Sequence, residues 1–217
     1  MLKMYSMPLD GFAAALSSSD PAPGGGGASA LCAALAAALG GMVTSLTIGK
    51  KKYAEVEAEM LALREELGEL RVSLLELVER DALAFAPLAA AYRMPAETEE
   101  QRAEKEISMQ ASLKGASAPP LEVMRLCARV AELLEPLAQK GSRLAVSDAG
   151  AAAALCAAAM RAASLNVYIN AAAITDTVAA KALKDEADAL LESGAALADG
   201  VYAEVRRELI QPDRKEG

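Results

Sequence analysis

Residues 28–48 read ASALCAALAAALGGMVTSLTI, a stretch without a single charge. Length alone would let it cross a bilayer. Its pattern points elsewhere. Leu31, Leu35, Leu39, Val43 and Leu46 form one stripe of large side chains, and the other positions are mostly Ala, Gly, Ser and Thr. A helix of this kind packs closely against several neighbours and is weakly apolar towards lipid. It is expected to be a buried core helix, central in a bundle or at a subunit interface. Just before it stands PAPGGGGAS, residues 21–29, which is a phosphate cradle, a linker or the turn into that helix.

Composition extends the helical reading to the whole chain. Of 217 residues, 53% are hydrophobic and only 3% aromatic, with much of the apolar content in alanine runs. Alanine is the strongest helix former, whereas strands favour β-branched and aromatic side chains. The expected class is all-α, a single-domain antiparallel helical bundle over residues 1–217. The net charge of −8 argues against a nucleic-acid partner, which needs a basic surface. Cys32, Cys127 and Cys156 have neither metal nor redox spacing and read as small buried hydrophobes. The N-terminal MLKMYSMP has no apolar core of signal-peptide length, so a cytoplasmic location is expected. There is no histidine. Ser-His-Asp and Cys-His catalysis and histidine metal sites are thereby excluded, leaving carboxylates, lysine, tyrosine or water for acid–base work.

Along the chain, Leu9 to Leu16 reads as a short helix. From Lys50 to Arg93 a charged and apolar segment would span roughly 66 Å as one helix, against a radius of gyration of about 17 Å for a compact chain of this length. It is expected to bend at Gly68 or Pro87, or to reach a partner subunit. Thr98-Glu-Glu-Gln101 is a capping box opening a helix towards Gly115. Pro119-Pro120 starts another, which ends near Gly141. Ser147 is expected to cap a helix reaching Asp176, and a last amphipathic helix covers Lys181 to Ile210.

Three groups of residues carry chemistry. Gly24, Gly25 and Gly26 match neither the Walker nor the dinucleotide pattern; they permit a tight turn, or leave backbone N–H groups free for an anion or carbonyl. Asn166 and Asn170 share a helix face, and two amides in an alanine-rich helix need partners from a ligand or a neighbouring helix. Asp148, beside Ser147, suits a helix start, but lies about 27 Å from Asn166 along a continuous helix. One small reacting centre uses both only if the helix breaks, the ligand is extended, or two subunits contribute. Asp81 adjoins an apolar run where burial would raise its pKa towards the general-base range; a solvated or ion-paired carboxylate is the alternative. Lys50 and Lys51 read as a solvated helix end, or as an attraction for an anionic ligand tail.

In order along the chain, Pro23-Gly-Gly-Gly26, Leu46-Thr-Ile-Gly-Lys-Lys-Lys-Tyr53, Asp81 with Ala84-Phe85, Ala91-Tyr92 with Pro95, Ser147-Asp148-Ala149-Gly150 and Asn166 through Asn170 resemble one family. It comprises the cyclodeaminase domain of formiminotransferase-cyclodeaminase and the stand-alone methenyltetrahydrofolate cyclohydrolases. Gly27-Ala28 and Leu165-Asn-Val-Tyr168 look closer to the cyclohydrolases. The sequence departs from the family at Gly141-Ser142, where Gly-Asn is usual, and at Met94-Pro95-Ala96, where Leu-Pro-Lys is usual.

The resemblance implies hydrolysis of 5,10-methenyltetrahydrofolate to 10-formyltetrahydrofolate, with a cyclodeaminase releasing ammonia as the alternative. It implies Asp148 and Asp81 as catalytic carboxylates. Substrate binding would fall to Gly24, Gly25, Gly26, Lys50, Lys51, Ser147, Asn166 and Asn170. A homodimer is expected, with a folate substrate, no metal, no further cofactor, no nucleic acid and no membrane. A non-catalytic helical scaffold is the competing class; it accounts for the alanine-rich helices but not for the paired amides or the lysine run.

Overall fold

The computed structural model describes residues 4–211. Residues 1–3 and 212–217, the ends of the expected domain and part of the N-terminal stretch read above, lie outside the described residues.

The described chain is helical throughout, with no strand: α1 (Leu9–Leu16), α2 (Gly25–Thr47), α3 (Glu57–Tyr92), α4 (Glu99–Lys140), α5 (Val146–Ala173), α6 (Thr177–Leu190) and α7 (Ala196–Ile210). Helices α2 to α5 form an antiparallel four-helix bundle. Gly26 lies against Asp81 and Gly40 against Leu67, so α2 and α3 run in opposite directions. Arg129–Glu66 and Lys140–Glu59 ion pairs tie α4 back along α3. The Sγ of Cys156 donates to the Cys127 carbonyl at 3.1 Å across α4 and α5, and that of Cys32 to the Leu155 carbonyl at 3.5 Å across α2 and α5. Cys127 and Cys156 are buried, Cys32 is half-buried, and all three are free thiols. Helices α6 and α7 lie outside α4 and α5, joined by a π-helical turn at Leu191–Ala195.

Helix α2 is the core helix, but its buried side is the small one. Ala30, Ala33, Ala36, Ala37 and Gly40 face inward, whereas Leu35 remains 49% exposed and Leu31, Leu39 and Leu46 are half-buried. The reason is distance between backbones: a Cβ at Gly40 would meet Leu134 and Leu67 methyl carbons at 3.1 Å. Small side chains let α3 and α5 close in; of the expected stripe, Val43 is buried, Leu31, Leu39 and Leu46 pack half-buried against the core, and Leu35 faces outward. Over its most apolar window α2 has a mean hydropathy of 1.8, enough by length and composition for a membrane span, yet half of that window is buried inside the bundle.

Several expected boundaries move. The Lys50–Arg93 segment is not interrupted at Gly68 or Pro87; both lie inside α3, about 54 Å long. The break comes earlier, in a 3-10 segment, Lys51–Val56, where Tyr53 leaves helical geometry. The neighbouring α4 is longer still, at 42 residues, so the bundle is elongated and a helix of this length fits. Likewise Gly115 and Pro119-Pro120 do not divide two helices: α4 runs through them from a Thr98 capping box that includes the Gln101 side chain. Both proline rings are buried, and packing there offsets the lost helical hydrogen bonds. Ser147 makes no cap: Arg143–Ala145 form a 3-10 turn, Ala145 precedes α5, and Ser147 is already in its first turn. Helix α5 stops at Ala173, and Asp176 caps α6, accepting from the Ala179 N–H at 3.1 Å.

Candidate active site

At one end of the bundle the start of α2, the last part of α3, the middle of α4 and the last part of α5 enclose a pocket of about 330 Å³. Its lining includes Gly24, Gly25, Gly26, Asp81, Asn166 and Asn170. Phe85, Leu88, Tyr92 and Ile169 give it apolar walls, with Pro21 and Ala22 from the preceding loop and Ala116 from α4. No lysine or arginine is among them.

The glycines are the first turn of α2. The first helical bond is Ala28 N–H to the Gly24 carbonyl at 3.0 Å, so the N–H groups before it have no helical acceptor. A backbone N–H of this turn, that of Gly27, donates to the Asp81 carboxylate. Gly26 is where a side chain is impossible: an added Cβ would collide with that carboxylate. The run is thus the turn into the buried helix and, at the same time, the wall on which Asp81 rests.

Among the described residues Asp81 has no cationic partner. Burial pushes its carboxyl above the usual Asp value, and the Gly27 N–H only partly offsets this. A half-buried carboxylate without an ion pair, in a cleft, suits proton transfer or a cationic ligand.

The two amides do not bridge helices. Asn166 donates through Nδ2 to the Ala162 carbonyl of its own helix at 3.0 Å, leaving Oδ1 for the pocket. Asn170 is only 9% exposed, and no hydrogen bond of its side chain is formed among the described residues. An amide at a pocket wall with no partner among the described residues has its polar atoms open to the pocket, where a ligand or water meets them.

The other expected residues lie elsewhere. Lys50 and Lys51 are exposed beyond the far end of α2, and Lys52 stands 5.5 Å from the Tyr53 ring centre. Tyr53 accepts from the Arg143 N–H at 3.0 Å; the Ser142 N–H donates to Thr47 Oγ1 at 2.8 Å, while Ser142 Oγ is buried without a partner. Asp148 is half-buried and Ser147 exposed in the first turn of α5. Because α5 is unbroken, Asp148 and Asn166 are about 27 Å apart, and no helix break unites them within one chain.

Sequence reasoning did not single out Leu88 or Ala116, whereas Pro21 and Ala22 stand in the stretch read as the turn into α2 and Ile169 in the Asn166–Asn170 motif. Ile169 carries a readable signal, being an apolar neighbour of Asn170 on the helix that supplies both amides. The position of Ala116, four residues before Pro120, has a signal only once α4 is known to continue.

The profile of the formiminotransferase-cyclodeaminase family matches residues 8–189. The chain belongs to that family. A methenyltetrahydrofolate cyclohydrolase of Methylorubrum extorquens is 40% identical over 198 residues, covering 91% of this chain and 95% of the relative. The formimidoyltransferase-cyclodeaminase of Rattus norvegicus is 32% identical over 184 residues, 85% of this chain but 34% of the longer rat protein. The crystal structure of formiminotetrahydrofolate cyclodeaminase from Thermotoga maritima superposes with a TM-score of 0.81 at 32% identity, over 96% of this chain and 98% of that one. Within the formiminotransferase-cyclodeaminase family, the stand-alone cyclohydrolase is thus matched over nearly its whole length and the rat enzyme over about a third.

Proposed function

We propose that the protein is a methenyltetrahydrofolate cyclohydrolase, converting 5,10-methenyltetrahydrofolate and water to 10-formyltetrahydrofolate. The observation that carries the reading is Asp81: a half-buried, partly desolvated carboxylate without a cationic partner among the described residues, in a pocket with apolar walls and two amides. The bridging carbon of the substrate belongs to a cationic amidinium. The carboxylate stabilises that cation and accepts a proton from attacking water, forming a neutral tetrahedral adduct. As the C–N5 bond breaks, Asp81 returns the proton to N5. The adduct's hydroxyl becomes the formyl oxygen and releases its proton to solvent, so one proton appears per turnover. No metal or further cofactor enters this scheme, and a cytoplasmic location suits it.

The extended match to the Methylorubrum cyclohydrolase supports this choice over the cyclodeaminase. Loss of methenyl absorbance at neutral pH, corrected for the spontaneous rate and without added metal or nucleotide, is the measurement. Folded protein giving no excess rate rejects it. Ammonia release from formiminotetrahydrofolate would instead favour cyclodeaminase chemistry, named for the Thermotoga neighbour.

The reading includes a homodimer. The outward positions Ala151, Ala154, Ala158, Leu165 and Ile169 make an uncharged stripe along α5, beside exposed Leu35 and Met42 of α2. A second copy is the partner that such a face suits in a protein of net charge −8. It also offers a role for the far end of α5: the pocket holds no cation, whereas a folate's glutamate carries carboxylates that Lys50 and Lys51 of another copy, with Ser147 and Asp148, are suited to meet.

A further inference from the structure

Pro119 and Pro120 stand side by side inside α4. A proline nitrogen carries no hydrogen, so each removes one helical hydrogen bond and leaves the carbonyl four residues earlier without its usual donor. Those carbonyls belong to Gly115 and Ala116. Their surroundings differ. Gly115 is exposed, and water takes the place of the missing N–H. Ala116 is 5% exposed and lines the pocket that holds Asp81, Asn166 and Asn170. The nearest hydroxyl in sequence is engaged elsewhere: Ser117 Oγ donates to the Leu113 carbonyl at 2.8 Å. Gln110, one and a half turns earlier, donates to the Ala173 carbonyl at 3.0 Å. A buried carbonyl is expected to have a partner, and Ala116 is one of the residues that line the pocket.

We infer that Pro120 frees the Ala116 carbonyl to accept a hydrogen bond from an N–H group of the bound ligand. The carbonyl then orients the ligand, and Pro120 is a positioning residue that acts through it. The identity of the ligand rests on the folate reading: a reduced pterin carries an amino group and ring N–H donors. The pocket then meets both characters of such a molecule, with Asp81 against the cationic bridge and a neutral acceptor for the ring's hydrogens. The inference also gives the proline pair a purpose. Two interior prolines weaken a helix in general, and only Pro120 frees the carbonyl of a residue that lines the pocket.

Two substitutions separate this role from simple helix repair. Pro120→Ala returns an N–H to the Ala116 carbonyl; Pro119→Ala returns one to the exposed Gly115 carbonyl. Both add a helical bond at a neighbouring position. Pro120→Ala is expected to raise KM for 5,10-methenyltetrahydrofolate about three- to tenfold with kcat within about twofold, because a hydrogen bond made in ground and transition states alike is weakened. Pro119→Ala is expected to leave both constants unchanged. Equal KM values in wild type and Pro120→Ala overturn the inference, as does an equal rise in Pro119→Ala. Should wild type not turn over the substrate, the proposed reaction fails separately. Equilibrium dialysis of 5-formyltetrahydrofolate against the same three proteins then decides, with a Kd raised in Pro120→Ala alone expected. Identical Kd values in wild type and Pro120→Ala, or no binding to wild type, overturn the inference.

Discussion

Burial holds the Asp81 carboxyl above the usual Asp range, and the sign of that shift separates its effect on folding from its effect on reaction. Below the ordinary value of 3.8, folded and unfolded chains both carry the proton and the residue has no pH-linked cost. Between that value and the raised one, the unfolded chain has released its proton while the folded chain keeps it. Stability therefore falls as pH rises through this window, and stays lower above it. Asp81→Asn removes the charge, so chemical denaturation at pH 7 should show a more stable protein than wild type, with the advantage disappearing towards pH 3.8. Its turnover should fall on the order of 10²-fold or more. In wild type the reaction needs the ionised carboxylate, so kcat/KM should decline as pH falls through a pKa above the ordinary Asp value. Asp81→Asn that turns over at the wild-type rate would remove Asp81 from the chemistry. Gly26→Ala makes the complementary test. Its methyl displaces the carboxylate, so activity should drop about tenfold or more and the Tm should fall, although alanine favours a helix. Unchanged Tm and kcat would mean that Asp81 relocates without consequence.

At the scale of the element, a glycine's environment decides the sign of its replacement. Gly68 lies inside α3, and a Cβ there meets nothing within 4 Å. Gly68→Ala should add roughly 0.5–1 kcal/mol to stability with activity unchanged, read by denaturant melting and the methenyl assay. A loss of stability would show that α3 needs the glycine. The same contrast explains what the sequence makes legible. Alanine runs and the Thr98 box announce helices, because propensity and capping are local. Pro119-Pro120 reads as the start of a new helix and Pro87 as a bend for the same local reason; α4 runs through the first pair because tertiary packing buries both rings, whereas Pro87 sits exposed within α3. The leucine stripe of α2 is plain in sequence, but which side faces inward depends on how near α3 and α5 approach, and no local rule carries that.

Across the whole molecule, the candidate site divides along α5. The glycines, Asp81 and the two amides are legible as separate motifs, and the fold brings them to one pocket. Asp148, Ser147 and the lysines carry equally visible motifs at the opposite end, because a motif is read locally and sequence order does not show which end of the bundle it reaches. Light scattering at micromolar concentration should give twice the 22.4 kDa chain mass; a monomer contradicts the proposed dimer. Mixing inactive Asp148→Asn with inactive Asn170→Ala chains then tests a shared site. Half of randomly paired dimers are mixed, and each mixed dimer has one intact site of two, so about a quarter of wild-type activity should return. No return, with mixed dimers confirmed, would assign each site to a single chain.

The thiols packed between α2, α4 and α5 make the bundle its own stopwatch. Cys127 and Cys156 are sealed at the contact of two long helices, while Cys32 sits nearer the surface. A thiol-reactive dye should label Cys32 first, and the other two only as fast as α4 and α5 part. Folate added in excess should slow that second phase if the pocket, which draws on both helices, is where it settles.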